Sequence, residues 1–510
     1  MKTHFQHLLS LGLAAALSLS AWTSEASASA ALGTNLERLV AASAETGSGR
    51  CQILDLRGKE TMDYFRTHIV TADKKLTISS NAPISIPEVD KIPLYSVSCQ
   101  GFAQEQVSSI YRYLFEGESA WYAEDGQYYT KSMAEKDIAD AEAELERLES
   151  SLDLMRSAPA LTAEDSAADA ELSAEHVKTQ IEFCQNRIAE LNSIYPSLPE
   201  EIAKLPTDGT MLPKIVSTAS GEEEYLCLEA HTDSGKALTV TDFGDRRADS
   251  VLQYCSEDGK KFDPGSASGQ EISVLTFPDS FQGAYSGGSP ERIFHDEVFR
   301  AYNGAHALVC SFLDKAGISY GAMLSVDVLA LESDEPDFAL RFCCARQAAG
   351  MPAAATSSSA RYADDKNPYW PYELIYVTVY KDMISNVYWY SPVALGEQVM
   401  EDTDILPPEE AIRIFKETAR IVYRSEITAL ERESGCPYRL TVSVDKLSLS
   451  MIRLRDGEKL SGLYVPAWVF YGEKALQSDD SSSTAVPQSP WIVYAINAID
   501  GSIIDVKAGY

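Results

Sequence analysis

The chain has seven histidines in 510 residues, and the five beyond residue 30 are His68, His176, His231, His295 and His306. Metal and proton-transfer chemistry needs such groups within a few ångströms of one another. His295-Asp296-Glu297 falls on a predicted helix. His306 follows on nearly the same face, but at 1.5 Å per residue it stands about 16 Å away, too far to share a metal. Ser443-Val444-Asp445-Lys446 has the Ser-to-Lys spacing of penicillin-recognising enzymes. The companion motifs are missing and the segment reads as a strand entering a turn, so the match is one of chance. No zinc-protease helix, nucleophile elbow or phosphate-cradling loop occurs in the sequence. Acidic pairs are too abundant for proximity in sequence to single out a glycosidase dyad. No catalytic residue, metal ligand set or cofactor site is therefore read, and the expectation is a protein that is not an enzyme.

The nine cysteines are Cys51, Cys99, Cys184, Cys227, Cys255, Cys310, Cys343, Cys344 and Cys436. An odd count leaves at least one thiol free or available for intermolecular pairing. No two have the two-residue spacing of zinc or redox sites, and Cys343 and Cys344 would point to opposite faces of a strand. The plain reading is small buried hydrophobes. A Cys51–Cys99 disulfide stays open for an exported chain.

Aromatic residues give the one other distinctive cluster. Tyr369, Trp370, Tyr372, Tyr376, Tyr380, Tyr388, Trp389 and Tyr390 crowd a predicted hairpin. Tyr376, Tyr380, Tyr388 and Tyr390 form a candidate aromatic binding face, because tyrosines exposed on a sheet stack on sugar rings. An odd-length loop near Asp382 puts all four on one face, whereas a two-residue loop divides them. Cross-strand packing is the plainer account of the same residues.

The elements that would position these groups read as an α+β fold of repeated helix-on-antiparallel-sheet modules with an inserted antiparallel coiled-coil hairpin. A mixed segment covers residues 31–130. Ile138, Ala141, Leu145, Leu148, Leu152 and Met155, then Val177, Ile181, Cys184, Ile188, Leu191 and Tyr195, recur three and four apart, which predicts a helical hairpin over 131–196. The first of these helices is heavily acidic. A β-rich segment follows over 197–285. Ser289-Pro290-Glu291-Arg292 and Pro407-Pro408-Glu409-Glu410 each open a helix, to about Leu313 and about Tyr423 respectively. Strand-like runs follow each helix, which gives one module over 286–395 and a second over 396–510.

Composition sets the compartment. Lys2, the apolar run Leu8 to Trp22 and the small-residue stretch Ala26-Ser27-Ala28-Ser29-Ala30 read as a signal peptide over residues 1–30, cleaved after Ala28 or Ala30. The expected location is extracellular or at the cell envelope. Leu19-Ser20-Ala21-Trp22 would be a lipoprotein box if Trp22 were cysteine; without that thiol no lipid anchor is expected there. A formal net charge of -33 disfavours nucleic acid and anionic lipid and suits cationic partners. No second apolar stretch approaches the length of a membrane span.

Pro87-Glu88-Val89-Asp90-Lys91-Ile92-Pro93-Leu94-Tyr95, Leu406-Pro407-Pro408-Glu409-Glu410, Tyr464-Val465-Pro466-Ala467-Trp468-Val469-Phe470-Tyr471-Gly472 and Ile496-Asn497-Ala498-Ile499-Asp500-Gly501-Ser502-Ile503-Ile504-Asp505 carry a resemblance. They resemble an uncharacterised family, a domain of unknown function, of cell-envelope lipoproteins from low-GC Gram-positive bacteria. The C-terminal part is similar to the PepSY and YycH/YycI type of extracytoplasmic module. The resemblance implies export and a regulatory, protein-binding role towards sensor kinases or proteases. It also implies a lipid anchor, from which Trp22 departs. A glycan-binding module using the aromatic hairpin is the second expectation, and an unrecognised secreted hydrolase the third.

Overall fold

The computed structural model describes residues 50–57, 62–124, 126–157, 164–218, 221–262, 272–278, 290–318, 322–331, 337–356, 370–456, 460–478 and 492–506. The signal segment with Ala28, Ala30 and Trp22 lies outside them, as do Tyr369 and the serines after Ser478. The side chains of His176 and His295 also lie outside the description.

The elements begin with α1 (Ile53–Arg57), β1 (Tyr64–Val70), β2 (Leu76–Ser85), β3 (Leu94–Cys99), α2 (Gln104–Leu114), β4 (Ala120–Ala123), α3 (Lys131–Ser157) and α4 (Glu164–Ile194). They continue with β5 (Lys204–Thr207), β6 (Leu212–Thr218), β7 (Gly221–His231), β8 (Ala237–Asp242), β9 (Val251–Cys255), β10 (Ile272–Pro278) and α5 (Pro290–Lys315). Next come β11 (Ala322–Leu331), β12 (Asp337–Ala345), β13 (Gln347–Ala348), β14 (Met351–Pro352), β15 (Leu374–Tyr380) and β16 (Met383–Tyr390). The last are β17 (Val393–Met400), α6 (Pro408–Ser434), β18 (Tyr438–Arg455), β19 (Ser461–Ser478) and β20 (Ile492–Asn497). No helix among the described residues is long and apolar enough to cross a membrane.

The chain forms two compact units, Ser119–Thr207 and the remainder. In the larger unit a seven-stranded sheet runs β1-β2-β18-β19-β3-β17, with β20 also on β19. Its β2–β18 pair is parallel, Leu440 opposite Leu76 and Val442 opposite Ile78, and β18 pairs antiparallel with β19. β18 continues through Asp445 with a bulge between Val444 and Lys446, where the sequence reads as a turn. Opposite the bulge stands Gly472, where a Cβ would sit 1.9 Å from the Ser443 carbonyl oxygen. Only glycine fits that close approach.

Helix α6 covers this sheet with Ala411, Phe415, Ala419, Tyr423, Ile427 and Leu430, spaced three and four apart and buried. The buried stripe carries the helix past Tyr423 to Ser434, and Gly435 ends it at φ 74°. Phe415 stacks on Phe470 at 4.5 Å between centroids, and Phe65 and Tyr494 meet it edge-on.

The second sheet of this unit runs β10-β11-β12-β15-β16-β9-β8-β7, with β6 on β7, and every pairing along it is antiparallel. One face, with Phe342, Val377, Trp389, Leu252, Val240 and Ala230, is fully buried. α2 and α5 lie on that side: Phe102 meets Trp389 edge-on at 5.1 Å, and Phe115 meets Tyr254.

The smaller unit holds β4 paired with β5, and helices α3 and α4. The helices share a cluster of Leu148, Leu152, Val177 and Cys184, flanked by Leu145 and Ile181.

The fold class read from sequence is overturned. The chain is sheet-rich, with few helices and two large sheets, one of them mixed. The supposed second module is not closed on itself, because β18 and β19 are flanked by β2 and β3 from far upstream. Nor is a coiled-coil hairpin shown. Met155, expected in the apolar seam, is 45% exposed, and Leu154 beside it is 71% exposed. Local periodicity reports which face of an element is apolar, whereas strand partners hundreds of residues apart leave no such trace. Replacing Phe415 with alanine should cost about 3–5 kcal/mol in denaturant unfolding. A cost below about 1 kcal/mol would show that the aromatic cluster is not packed as described.

Candidate functional site

The second face of the antiparallel sheet carries the candidate site. β15 and β16 are joined by Lys381 and Asp382, both with positive φ (46° and 61°), a two-residue turn made without glycine. Such a loop alone would divide the tyrosines between faces. A bulge restores them: Tyr380 opposes Met383, but after a register shift between Thr378 and Val379, Tyr376 opposes Tyr388 and Leu374 opposes Tyr390. The Tyr388 and Tyr390 rings lie 6.1 Å apart, and all of Tyr376, Tyr388 and Tyr390 are half-buried.

The register extends this row across neighbouring strands. Tyr388 opposes exposed Gln253, Gln253 opposes Thr239, and Thr239 opposes Glu229, whose carboxylate accepts from Lys214 Nζ at 3.0 Å. On the other side the Arg341 guanidinium lies 5.4 Å from the Tyr376 ring centroid. Arg341 is fixed by donating twice to buried Asp327, at 2.7 and 3.0 Å.

Tyr380 is separated from the other three. It packs with Phe262, Leu329 and Ala339, and its hydroxyl donates to Asp337 at 2.9 Å. Phe262 ends the short 3-10 turn Asp258–Phe262, which is tied to the sheet by Asn386 Nδ2 donating to the Gly259 carbonyl at 3.2 Å. The expected face of four is thus a strip of three beside a covered fourth.

Two buried ion contacts hold the strip in place. Glu373, just before β15, accepts from Arg346 Nε at 2.9 Å and Nη2 at 3.0 Å, and from Trp389 Nε1 at 3.0 Å. Arg453 of β18 lies 3.8 Å from the Trp370 ring centroid and 4.8 Å from that of Tyr372, and it donates to the carbonyls of Trp370 and Pro371. Trp370 and Tyr372 are therefore buried in the core and belong to no open face.

The remaining residues singled out from sequence are dispersed. His68 is exposed on β1, His231 ends β7, and His306 sits on α5. Ser443 Oγ donates to Asp445 Oδ1 at 2.7 Å. Cys51 and Cys99 are not bonded to each other; their sulfurs face the carbonyls of Ile405 and Arg247. Cys343 and Cys344 are both fully buried, and burial pushes the Cys344 thiol up to about 12. Among the described residues, no three His, Cys, Asp or Glu side chains are placed to hold a metal ion.

No protein-family model matches the chain, and no curated protein does. Among solved structures, an uncharacterised protein from Eubacterium rectale ATCC 33656 aligns with 92% of this chain and 98% of its own. The identity is 12% and the TM-score 0.41, a likeness that assigns neither fold nor activity.

His231 lies in the row next to Tyr388, through Ala237, Cys255 and Asn386. Burial pulls its pKa below the ordinary 6.5; Lys260 adds to this and Glu229 opposes it. As pH falls through 6.5 the unfolded chain takes the proton first, so this group's contribution to stability declines towards acid. Denaturation midpoints between about pH 7 and about pH 5 should fall more for the wild type than for His231→Gln. Equal slopes would show that His231 is not held neutral by the fold.

Proposed function

We propose that the protein is an exported, non-enzymatic binding protein of the extracellular or cell-envelope space, and that its partner is another protein. The observation that carries this reading is the surface of the Ser119–Thr207 unit. Its helix α3 presents Glu135, Asp140, Glu142, Glu146, Glu149 and Asp153 to solvent, together with exposed Leu154 and Met155. Phe183 on α4 is likewise exposed. Apolar side chains left uncovered among carboxylates suit a partner with an apolar patch rimmed by cations. Export rests on the signal-like residues 1–30, and Trp22 argues against a lipid anchor. The resemblance to PepSY and YycH/YycI type modules points the same way, towards regulation at the envelope.

A second reading, glycan binding, is favoured by the strip of Tyr376, Tyr388 and Tyr390 beside Gln253 and Thr239, where rings and hydrogen-bonding groups share one face.

Two variants separate these readings. Crosslinked capture from an envelope fraction should drop about tenfold or more for Leu154→Asp combined with Met155→Asp, and should weaken with salt. Tyr388→Ala should leave capture unchanged. The reverse pattern, with saccharide binding lost in Tyr388→Ala and capture indifferent to α3, would overturn the protein-binding reading in favour of the glycan one.

A further inference from the structure

Strand β1 lies at one end of the seven-stranded sheet, with β2 on its inner side. At one end of this pair Thr71 N donates to the Leu76 carbonyl, and at the other Ile84 N donates to the Asp63 carbonyl, both at 3.0 Å. Bonded and non-bonded pairs alternate in an antiparallel ladder, so Phe65, Thr67 and Ile69 direct their backbone groups to β2. The N–H and C=O of Tyr64, Arg66, His68 and Val70 therefore point to the outer edge. Among the described residues no strand pairs with that edge.

Two other outer strands are blunted where β1 is not. β17 breaks its register twice between Leu395 and Met400, and β6 carries Pro213. β1 runs seven residues in unbroken register without proline. Its exposed face holds Arg66 and His68, opposite the face on which Phe65 meets Phe415 of α6.

A line of cations on α6 flanks the same edge. Lys416, Arg420 and Arg424 are exposed and four residues apart, hence neighbours along one side of the helix. Lys416 Nζ lies 5.9 Å from the Phe65 ring centroid, and Arg424 Nη2 donates to Asp73 in the β1–β2 turn at 3.0 Å. The line therefore accompanies β1 from Phe65 to its turn. The other side of the helix meets β19 and β20, through Glu426 with Lys474 and Thr418 with Tyr494.

Much of this charge is uncompensated. Arg66 Nε donates to the Asn81 amide oxygen at 3.0 Å, and among the described residues neither Arg66, Lys416 nor Arg420 has a carboxylate in ion-pair contact. The nearby carboxylates are Asp73, held by Arg424 and Thr71, Glu417, held by Arg413, and Asp63 ahead of the strand. In a chain of 76 acidic and 43 basic residues, a strand edge framed by free cations selects its occupant. A second copy paired through β1 would set Arg66 and the α6 cations of both chains against each other, which disfavours self-pairing.

We propose that β1 receives an extended acidic segment of another protein as an added strand. Its backbone bonds the outward groups of Tyr64, Arg66, His68 and Val70. Its side chains alternate between faces, so carboxylates meet Lys416 and Arg420 on one side and Arg66 on the other. Tyr64 and Val70, 46% and 49% exposed, supply apolar cross-strand contacts at the two ends.

The test titrates the full-length chain with a short fluorescent peptide of alternating glutamate and valine, beside one of alternating lysine and valine. The glutamate peptide should bind, should weaken about tenfold or more between about 0.01 M and about 1 M salt, and should slow amide exchange in Tyr64–Val70. The lysine peptide should not bind. His68→Pro removes an outward N–H without breaking a β2 bond and should abolish binding, with the unfolding midpoint as the check on folding. Lys416→Glu combined with Arg420→Glu, both exposed, should weaken the glutamate peptide about tenfold or more. Leu154→Asp should leave this binding unchanged, which separates it from the α3 surface. Four results would overturn the proposal: no binding, equal binding of the lysine peptide, binding that ignores both edge variants, or protection that falls outside β1. Self-association of the chain that His68→Pro abolishes would overturn it too, by making a second copy the occupant.

Discussion

The structure of the larger unit depends on where β18 finds its neighbours. This strand is buried almost continuously from Leu447 to Leu454, with β19 on one side and the parallel strand β2, some 360 residues earlier, on the other. Parallel pairing of that kind occurs where both faces of the sheet are covered. Closing so long a loop costs only a few kcal/mol more than closing a short one, and the burial of Leu440, Val442, Leu447 and Leu449 offsets it. With β18 fixed, α6 has a floor on which to lay Phe415 and Tyr423. Arg453, from the same strand, then clamps Trp370 and Pro371 at the entrance to β15. The tyrosine strip is thereby positioned by a guanidinium that belongs to the other sheet.

What the sequence reveals follows the range of the interaction involved. The starts of α5 and α6 are legible because a proline in the first turn is a local signal, and β11 and β12 are legible as apolar runs. The extension of α6 to Ser434 is recoverable from Ile427 and Leu430, which continue its stripe until Gly435. The partnership of β18 with β2 is not legible, since neither strand carries a mark of the other. The helical seam misleads for a different reason. Spacing identifies Met155 as a seam position, but only packing decides whether anything covers it.

The candidate site shows the same division. The crowding of tyrosines was plain, but their distribution over the faces turned on one bulged residue near Ser385 and on a positive-φ turn built from Lys381 and Asp382, where glycine or asparagine is the usual signal. Tyr380 left the group because the turn Asp258–Phe262 folds over it, a contact across more than a hundred residues.

These features leave in the larger unit a half-buried strip of tyrosines with polar neighbours. The smaller unit is acidic with a few uncovered apolar side chains.

The account's central claim is that distant strands complete this fold, and the most direct measurement is denaturant unfolding of residues 396–510 purified alone. Without β2 and β3 one edge of β18 and the Ser461–Tyr464 end of β19 are bare, so the account predicts no cooperative transition and a tendency to associate. A sharp, reversible transition from a monomeric fragment would contradict it and show that the C-terminal segment folds as a module of its own.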